Sequence, residues 1–257
     1  MEYELIHLPN GIRIVLHHAA SPVSHACMLI NAGARDEPEG QYGLAHFIEH
    51  LLFKKTEKRN TNQILNRLES VGGDLNAYTT KEYTCIHASF LEPYLERTLD
   101  LFEDLSFHSV FPENELEKER GVILDEMASY QDSPEDLIMD EFEDLLFQGH
   151  ALGHNILGTP ESLKLLTREH IQAFIQHHYS SHEIVIGISG QHAPRKVAAI
   201  AERTVGKIPE RPGVPRRAAP NRIPSSRTAI KKPINQVHQV SGGIAYDLHL
   251  PDKTDLL

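Results

Sequence analysis

Alternating apolar and polar residues predict several β-strands, most of them in the first part of the chain. The predicted strands cover residues 3–8, 12–17, 23–31, 75–79, 83–90 and 184–189. The first two flank Pro9-Asn10-Gly11, a sequence typical of a tight hairpin turn. The last is a continuous run of mostly β-branched residues, which indicates a strand buried in the centre of a sheet.

Apolar residues spaced three and four apart predict helices in much of the remaining chain. The predicted helices include residues 46–50 and cover residues 62–71, 93–106, 115–130, 134–147, 160–166, 168–178 and 194–205. Ser133-Pro134 and Thr159-Pro160 each combine an N-cap residue with proline at the first helical position. Asn114, three residues before Glu117, predicts a capping box. The order of elements predicts a layered α+β fold rather than alternating βαβ units.

A change in composition near residue 209 predicts a domain boundary. Residues 209–233 contain six prolines and seven arginine or lysine residues without apolar periodicity, as in an extended linker. We therefore predict a domain at residues 1–208, a linker at 209–233, and the truncated start of a second domain at 234–257. Residues 234–250 are predicted to be extended, and this last stretch is too short to bury a core of its own.

The net charge of -11 comes from one part of the 257-residue chain. Between Glu113 and Asp144, thirteen acidic residues stand against Lys118 and Arg120. This balance argues against nucleic acid as a partner. A solvated helical face explains the acids best, and attraction of basic peptide substrates is the weaker alternative.

Cysteine content and hydropathy bear on the location of the protein. Cys27 and Cys85 both fall in apolar, strand-like runs, which favours free thiols and a reducing compartment. The N-terminal residues lack the positive charge and apolar core of an export signal. No apolar run approaches the ~18 residues that a membrane helix needs. These features predict a cytoplasmic protein without a membrane partner.

His46, Glu49 and His50 form an H-x-x-E-H pattern within a predicted helix. Residues four apart lie on the same helix face, so both imidazoles can hold one metal ion, with Glu49 beside them. Such an ion activates water at neutral pH, and a nearby carboxylate can take the proton. Two ordinary histidines on an amphipathic helix are the alternative. Three hydrophilic residues inside so apolar a helix favour the metal site.

Catalytic zinc usually has a third protein ligand, and the predicted helix at 115–130 offers carboxylates for this position. Glu119 and Glu126 lie seven residues apart, about two helical turns, and therefore share a face. Spacing alone does not choose among the acids of this helix. The open candidates are Glu117, Glu119, Asp125 and Glu126.

A second pair of histidines, His150 and His154, is also spaced four apart. Gly149 and Gly153 disfavour a helix here, and no acid lies between the two histidines. This segment is therefore predicted to be a loop rather than a metal site.

Taken together, these motifs resemble the pitrilysin and mitochondrial processing peptidase family of zinc peptidases. The matching stretches are H-F-I-E-H at 46–50, E-x-E-x6-E at 117–126, G-G-D-L-N-A-Y-T at 72–79 and L-G-T at 157–159. The resemblance implies that His46, His50 and Glu126 bind Zn2+, with Glu49 as the general base. It also implies that Glu119 supports the site and is important for catalysis.

The resemblance further implies an α/β sandwich in which helices cover a mostly antiparallel sheet. The implied function is zinc-dependent hydrolysis of peptides or unfolded segments, with Asn76 and Ala77 binding substrate along a strand edge. A second homologous domain or a partner subunit, for example in a dimer, would complete the enclosure. Two alternatives remain open: a metal-bearing subunit that needs its partner for activity, and a non-catalytic assembly module with the same fold.

Overall fold

A single six-stranded sheet lies at the centre of the computed structural model, which describes residues 3–213, 217–221, 226–232 and 235–245. The strands are β1 (Tyr3–His7), β2 (Arg13–His18), β3 (Val23–Ile30), β4 (Asp74–Thr79), β5 (Thr84–Leu91) and β6 (Ile184–Gly190). They lie in the order β1-β2-β6-β3-β5-β4. Among them, β2 and β6 pair in parallel and all other neighbours pair antiparallel. The predicted mostly antiparallel sheet and the central position of β6 are therefore confirmed.

Eight α-helices are present among the described residues. They are α1 (Leu44–Leu52), α2 (Thr61–Glu69), α3 (Leu95–Phe107), α4 (Glu113–Gln131), α5 (Pro134–Leu146), α6 (Pro160–Leu165), α7 (Arg168–His178) and α8 (Pro194–Arg203). Each helix predicted from the sequence is found, with its ends shifted by about two residues or fewer. None of those described is both long and apolar enough to cross a bilayer.

The sheet separates a closed face from an open one, because alternate residues of a strand point to opposite sides. Met28, Ile186 and Phe90 are buried on the closed face, where Phe102 of α3 belongs to the same core. Cys27 on β3 is half-buried on the open face. Cys27 and the buried Cys85 are both free thiols. Helices α1 and α3 therefore pack on the closed face of the sheet, and α4 packs against α1.

The predicted capping box at the start of α4 is wrong. The N-cap is Pro112, whose carbonyl accepts hydrogen bonds from the amides of Glu115 and Leu116. Pro112 has no backbone N–H and therefore needs no acceptor, and the helix begins at the next residue, Glu113. Asn114 lies in the first turn, where its Nδ2 donates to the Glu115 carboxylate at 2.8 Å.

The hairpin between β1 and β2 is confirmed, and its turn also anchors a distant segment. Asn10 is buried, and its Nδ2 donates to the carbonyls of Val205 (3.0 Å) and Ile208 (2.9 Å). Gly11 adopts φ of 91°, and a Cβ there would lie 2.4 Å from the ring of His182. The Asn-Gly pair therefore forms the turn and also packs it against Val205 and Ile208, through Asn10, and against His182, at Gly11.

The region predicted as a linker contains no helix or strand in its described parts, 209–213, 217–221 and 226–232. Arg217 Nε donates to Asp36 at 2.8 Å, and Lys232 lies 2.8 Å from the Glu141 carboxylate. These contacts, with Asp36 before α1 and with Glu141 of α5, attach the region to the rest of the described structure. Residues 235–245 also lack helix and strand, while 246–250 lie outside the described residues. The proposed division at 208 and 233 stays a prediction.

Candidate metal centre

A buried carboxylate from the preceding loop fixes the N-terminus of α1. Glu37 accepts hydrogen bonds from the backbone amides of Gly43 (2.9 Å) and Ala45 (2.8 Å), near the start of the helix, where amides lack helical partners. Burial raises the pKa of Glu37, and His154, with Nε2 at 3.3 Å, acts in the opposite direction. No capping pattern predicts this contact, because Glu37 lies six residues before Gly43.

Gly43 allows a second segment to approach the start of α1. It adopts φ of 90°, and a Cβ at this position would lie 2.5 Å from the carbonyl oxygen of Leu157. Gly158 has φ of 74°, and its Cβ would lie 2.2 Å from the carbonyl oxygen of Tyr42. The L-G-T motif at 157–159 therefore packs directly on the loop that begins the metal-binding helix.

Three potential ligand atoms converge between α1 and α4. The Oε2 atom of Glu126 lies 3.7 Å from His46 Nε2 and 3.6 Å from His50 Nε2. All three atoms lie within 4.8 Å of one another, and no other group of three His, Cys, Asp or Glu side chains in the described residues meets this condition. The structure thus brings together the three residues for which the resemblance implied zinc binding.

The separation of these atoms fits a zinc ion. Ligands about 2.0–2.2 Å from a tetrahedral zinc ion lie about 3.4 Å from each other. The two separations that involve Glu126, 3.6 Å and 3.7 Å, are close to this value, and the two imidazole nitrogens lie within 4.8 Å of each other. Two imidazoles and one carboxylate leave a fourth position open, as in catalytic zinc sites.

Burial prepares His46 for metal binding. The residue is 8% exposed, and desolvation, together with the charge of His50, lowers the pKa of His46 to about 4. The imidazole is therefore neutral near pH 7, which is the form that binds metals. Its Nδ1 atom is buried and has no hydrogen-bond partner among the described residues.

Glu119 contacts a proposed ligand rather than the proposed metal position. Its Oε2 lies 3.2 Å from Nδ1 of His50, while His50 Nε2 faces Glu126. A carboxylate that accepts the second N–H of a ligating histidine fixes the tautomer and the orientation of the ring. This geometry is consistent with the supporting role implied by the resemblance.

Glu49 occupies the same helix as the two histidines and is half-buried. Desolvation raises the pKa of Glu49, and the negative charge of Glu126 acts in the same direction. The neighbouring Thr79 and His50 oppose these effects. A carboxylate with a raised pKa beside a metal site can act as a general base near neutral pH.

The structure separates the acids that spacing left open. Glu117 and Asp125 are exposed on α4, and Glu117 pairs with Arg120 at 3.3 Å. Glu126 alone among the four candidates joins the two histidines in the group described above. The sequence could not make this choice, because the choice depends on how α4 is rotated against α1.

The predicted substrate-binding residues lie on an edge strand. β4 is the last strand of the sheet and pairs with β5, so its other side is free among the described strands. Asn76 is exposed, whereas Ala77 is 8% exposed, and the amide of Ala77 donates to Asn76 Oδ1 at 2.8 Å. Within the described sheet, β4 is therefore an edge strand and not an internal strand paired on both sides.

His150 and His154 lie in the loop after α5, as predicted. The Nε2 of His154 contacts the Ala34 carbonyl oxygen at 2.8 Å, and the Nε2 of His150 contacts the Ala218 carbonyl oxygen at 3.2 Å. The pair thus supports the surrounding loops.

The chain matches two protein-family models. Residues 13–160 match the model described as insulinase (peptidase family M16), and residues 165–256 match the one described as peptidase M16 inactive domain. β6 falls in the second range but pairs with β2 and β3 of the first. Both matched ranges therefore contribute strands to the same sheet.

Two individual relatives also carry the names of proteases or peptidases. An uncharacterized zinc protease of Bacillus subtilis is 36% identical over 182 residues, which cover 70% of this chain and 44% of that protein. A probable mitochondrial-processing peptidase subunit beta of Arabidopsis thaliana is 32% identical over 206 residues, covering 80% of this chain and 39% of that protein. The chain thus spans less than half the length of these two relatives.

A solved structure shows the same fold. The crystal structure of the periplasmic protease PqqL from Escherichia coli superposes with a TM-score of 0.79, covering 86% of this chain and 25% of that chain. The two sequences are 23% identical, so this likeness bears on the fold alone.

Proposed function

Because this chain belongs to peptidase family M16, whose model matches residues 13–160, we propose that it carries the catalytic centre of a zinc-dependent endopeptidase. Its proposed substrates are peptides or unfolded protein segments. The convergence of His46, His50 and Glu126 beside Glu49 is the observation that carries this proposal. Relatives that are named zinc proteases support zinc as the ion.

In the proposed mechanism, a bound zinc ion supplies Lewis-acid activation of water and of the scissile carbonyl. A carboxylate oxygen of Glu49 takes the proton from the attacking water and then delivers it to the departing amine nitrogen. Burial, which raises the pKa of Glu49, suits this carboxylate to both steps. His46, His50 and Glu126 would hold the ion, and Glu119 would orient the ring of His50.

The free edge of β4 supports binding of an extended substrate. A peptide that pairs with this edge would be held by main-chain hydrogen bonds, which tolerate many side chains. Asn76 and Ala77 lie in the middle of the strand. The Asn76 amide oxygen already accepts the Ala77 N–H, so this side chain would have to turn away if a substrate carbonyl takes its place. Attraction of basic peptides by the acids between Glu113 and Asp144 remains the weaker alternative to a solvated helical face.

We further propose that a second homologous domain or a partner subunit completes the substrate enclosure. The chain spans 44% of the Bacillus subtilis relative, and the Arabidopsis thaliana relative is named as a subunit. Residues 1–257 alone are then expected to bind zinc but to hydrolyse peptides poorly. A cytoplasmic location remains a prediction from the sequence.

A non-catalytic assembly module with the same fold is the second candidate. The second matched range carries the description of an inactive domain. The H-x-x-E-H residues and Glu126 lie within the first matched range and are close enough to bind an ion, which favours the peptidase. A purified chain without stoichiometric zinc would favour the assembly module.

Replacement of the proposed base tests the function. Glu49→Gln keeps the shape of the side chain but removes its basic oxygen, so zinc should be retained while zinc-dependent hydrolysis falls about a hundredfold or more. The measurement is cleavage of a quenched fluorescent peptide library at equal zinc content. The matched control is Glu117→Gln, at an exposed acid of α4, which should hydrolyse like the unchanged chain.

Measurable zinc-dependent hydrolysis by the unchanged chain that is equal in Glu49→Gln would contradict the role of Glu49. Rapid hydrolysis by the 257-residue chain, abolished by Glu49→Gln, would support the chemistry but contradict the need for a partner.

A further inference from the structure

We propose that Lys54 is a positioning residue for the metal ligand His50 and acts through the carboxylate of Glu119. This inference rests on the proposed zinc centre and deepens it. Lys54 lies just beyond the end of α1 and outside the H-x-x-E-H motif.

The backbone of Lys54 is held between two helices. Its amide donates to the carbonyl of Leu51 at 3.1 Å, in the last turn of α1. Its carbonyl accepts a hydrogen bond from the hydroxyl of Thr61, the first residue of α2. Both ends of the residue are therefore fixed, and its side chain extends to α4 from a defined position.

The two oxygens of Glu119 have separate partners. Oε1 lies 2.7 Å from Nζ of Lys54, and Oε2 lies 3.2 Å from Nδ1 of His50. The Nε2 atom of His50 lies 3.6 Å from the Glu126 carboxylate, on the side of the proposed metal. One carboxylate thus connects Lys54 to the outer nitrogen of a metal ligand. When Lys54 holds Oε1 in place, Oε2 remains directed at the imidazole N–H.

A cation is required beside Glu119 because this carboxylate is buried. The residue is 7% exposed, and an ionised carboxylate that is removed from water without a partner is strongly disfavoured. Among the described residues, its ion-pair partners are Lys54 and His50. His50 binds metal as a neutral imidazole, so among the described side chains that contact Glu119 in the metal-bound state, Lys54 is the one that carries a full positive charge.

Loss of Lys54 should therefore weaken zinc binding without touching a ligand. Replacement of groups that orient a ligating histidine typically lowers metal affinity 10–100-fold. We expect Lys54→Met to raise the zinc dissociation constant about 10–100-fold, measured by competition with a chelator of known affinity. Lys54→Arg, which keeps the charge, should recover most of this loss. The control is Lys55→Met, at the exposed neighbouring residue, which should change the zinc dissociation constant by less than about threefold.

A double variant tests whether the effect passes through Glu119. In Lys54→Met/Glu119→Gln the buried carboxylate is absent, so no unpaired charge remains. If Lys54 acts through Glu119, the double variant should bind zinc no more weakly than Glu119→Gln alone. If the effects of Lys54→Met and Glu119→Gln on the zinc dissociation constant multiply in the double variant, the inference is overturned. The double variant also allows the test if Lys54→Met alone does not fold.

A spectroscopic readout separates positioning of His50 from general stability. Cobalt bound in place of zinc has visible absorption bands that depend on ligand geometry. With the site saturated, we expect altered bands in Lys54→Met and unaltered bands in Lys55→Met. Unaltered bands together with unchanged zinc affinity in Lys54→Met would overturn the inference.

The outcomes distinguish this inference from the proposed function. If the unchanged chain binds one zinc ion and Lys54→Met binds it equally well, the role of Lys54 is wrong and the zinc centre stands. If the unchanged chain binds no zinc, the proposed centre is wrong and the role of Lys54 is wrong with it.

Discussion

His46 makes the stability of the metal-free chain sensitive to acid. Desolvation, together with His50, lowers its pKa from 6.5 to about 4 in the folded chain, whereas the unfolded chain keeps a value near 6.5. The unfolded chain therefore binds the proton first as the pH falls below about 6.5. We expect the free energy of unfolding to fall by about 2 kcal/mol between pH 7 and pH 5, measured by urea denaturation with zinc removed.

The variant His46→Gln isolates this contribution, because other carboxylates and histidines also titrate. The quantity of interest is the difference between the two chains in how steeply the free energy of unfolding changes with pH. This difference in slope should disappear below about pH 4, where His46 is protonated in both the folded and the unfolded state. His25→Gln, on an exposed histidine of β3, serves as the control. An identical pH dependence in the unchanged chain and His46→Gln would contradict the buried, neutral histidine.

Residue types and spacing were sufficient to predict part of the site. His46, Glu49 and His50 share one helix, so the helical period alone places them together. Glu126 could not be separated from Glu117, Glu119 and Asp125 without the resemblance, because all four lie on α4 within about three turns. Lys54 was missed because its partner Glu119 lies far away in the chain and no local pattern connects them.

At the scale of elements, the start of α1 depends on Gly43, which a residue with a side chain cannot easily replace. Gly43→Ala would place a Cβ 2.5 Å from the carbonyl oxygen of Leu157 and impose φ of 90° on a residue that avoids it. We expect a loss of about 2–3 kcal/mol in the free energy of unfolding, from strain and displacement of the 157–159 segment. Chemical denaturation measures this loss, and zinc affinity should fall with it.

Gly40→Ala is the matched control for this prediction. Gly40 also has positive φ, at 79°, but a Cβ there would meet no atom within 4 Å. Its replacement should cost only about 1 kcal/mol, the backbone contribution. Equal losses in the two variants would show that the contact with Leu157 is unimportant.

The helices and strands were more predictable than their ends. Apolar periodicity is a property of each segment and identified every α-helix and strand of the described residues. The capping box at Asn114 was wrong because Pro112 accepts the first helical amides. Glu37 caps α1 from a separate loop, which depends on tertiary packing rather than on local sequence.

At the scale of the whole molecule, Asn10 links the first hairpin to the segment after α8. Asn10→Ala would leave the buried carbonyls of Val205 and Ile208 without this donor. We expect a loss of about 1–3 kcal/mol in the free energy of unfolding, measured by urea denaturation. The control is Asn66→Ala, at an exposed asparagine of α2, which should change stability by less than about 0.5 kcal/mol. Equal losses of stability in Asn10→Ala and Asn66→Ala would contradict the structural link between the hairpin and residues 205–208.

The arrangement of α1 against α4 unites the fold and the proposed function, because zinc binding needs residues from both helices. The most direct test is the zinc content of the purified 257-residue chain after equilibrium dialysis against trace zinc. We predict one zinc ion per chain in the unchanged protein and in Glu49→Gln, and about a hundredfold weaker binding in Glu126→Gln, which loses a ligand. Absence of stoichiometric zinc in the unchanged chain, or equal binding in Glu126→Gln, would contradict the proposed metal centre.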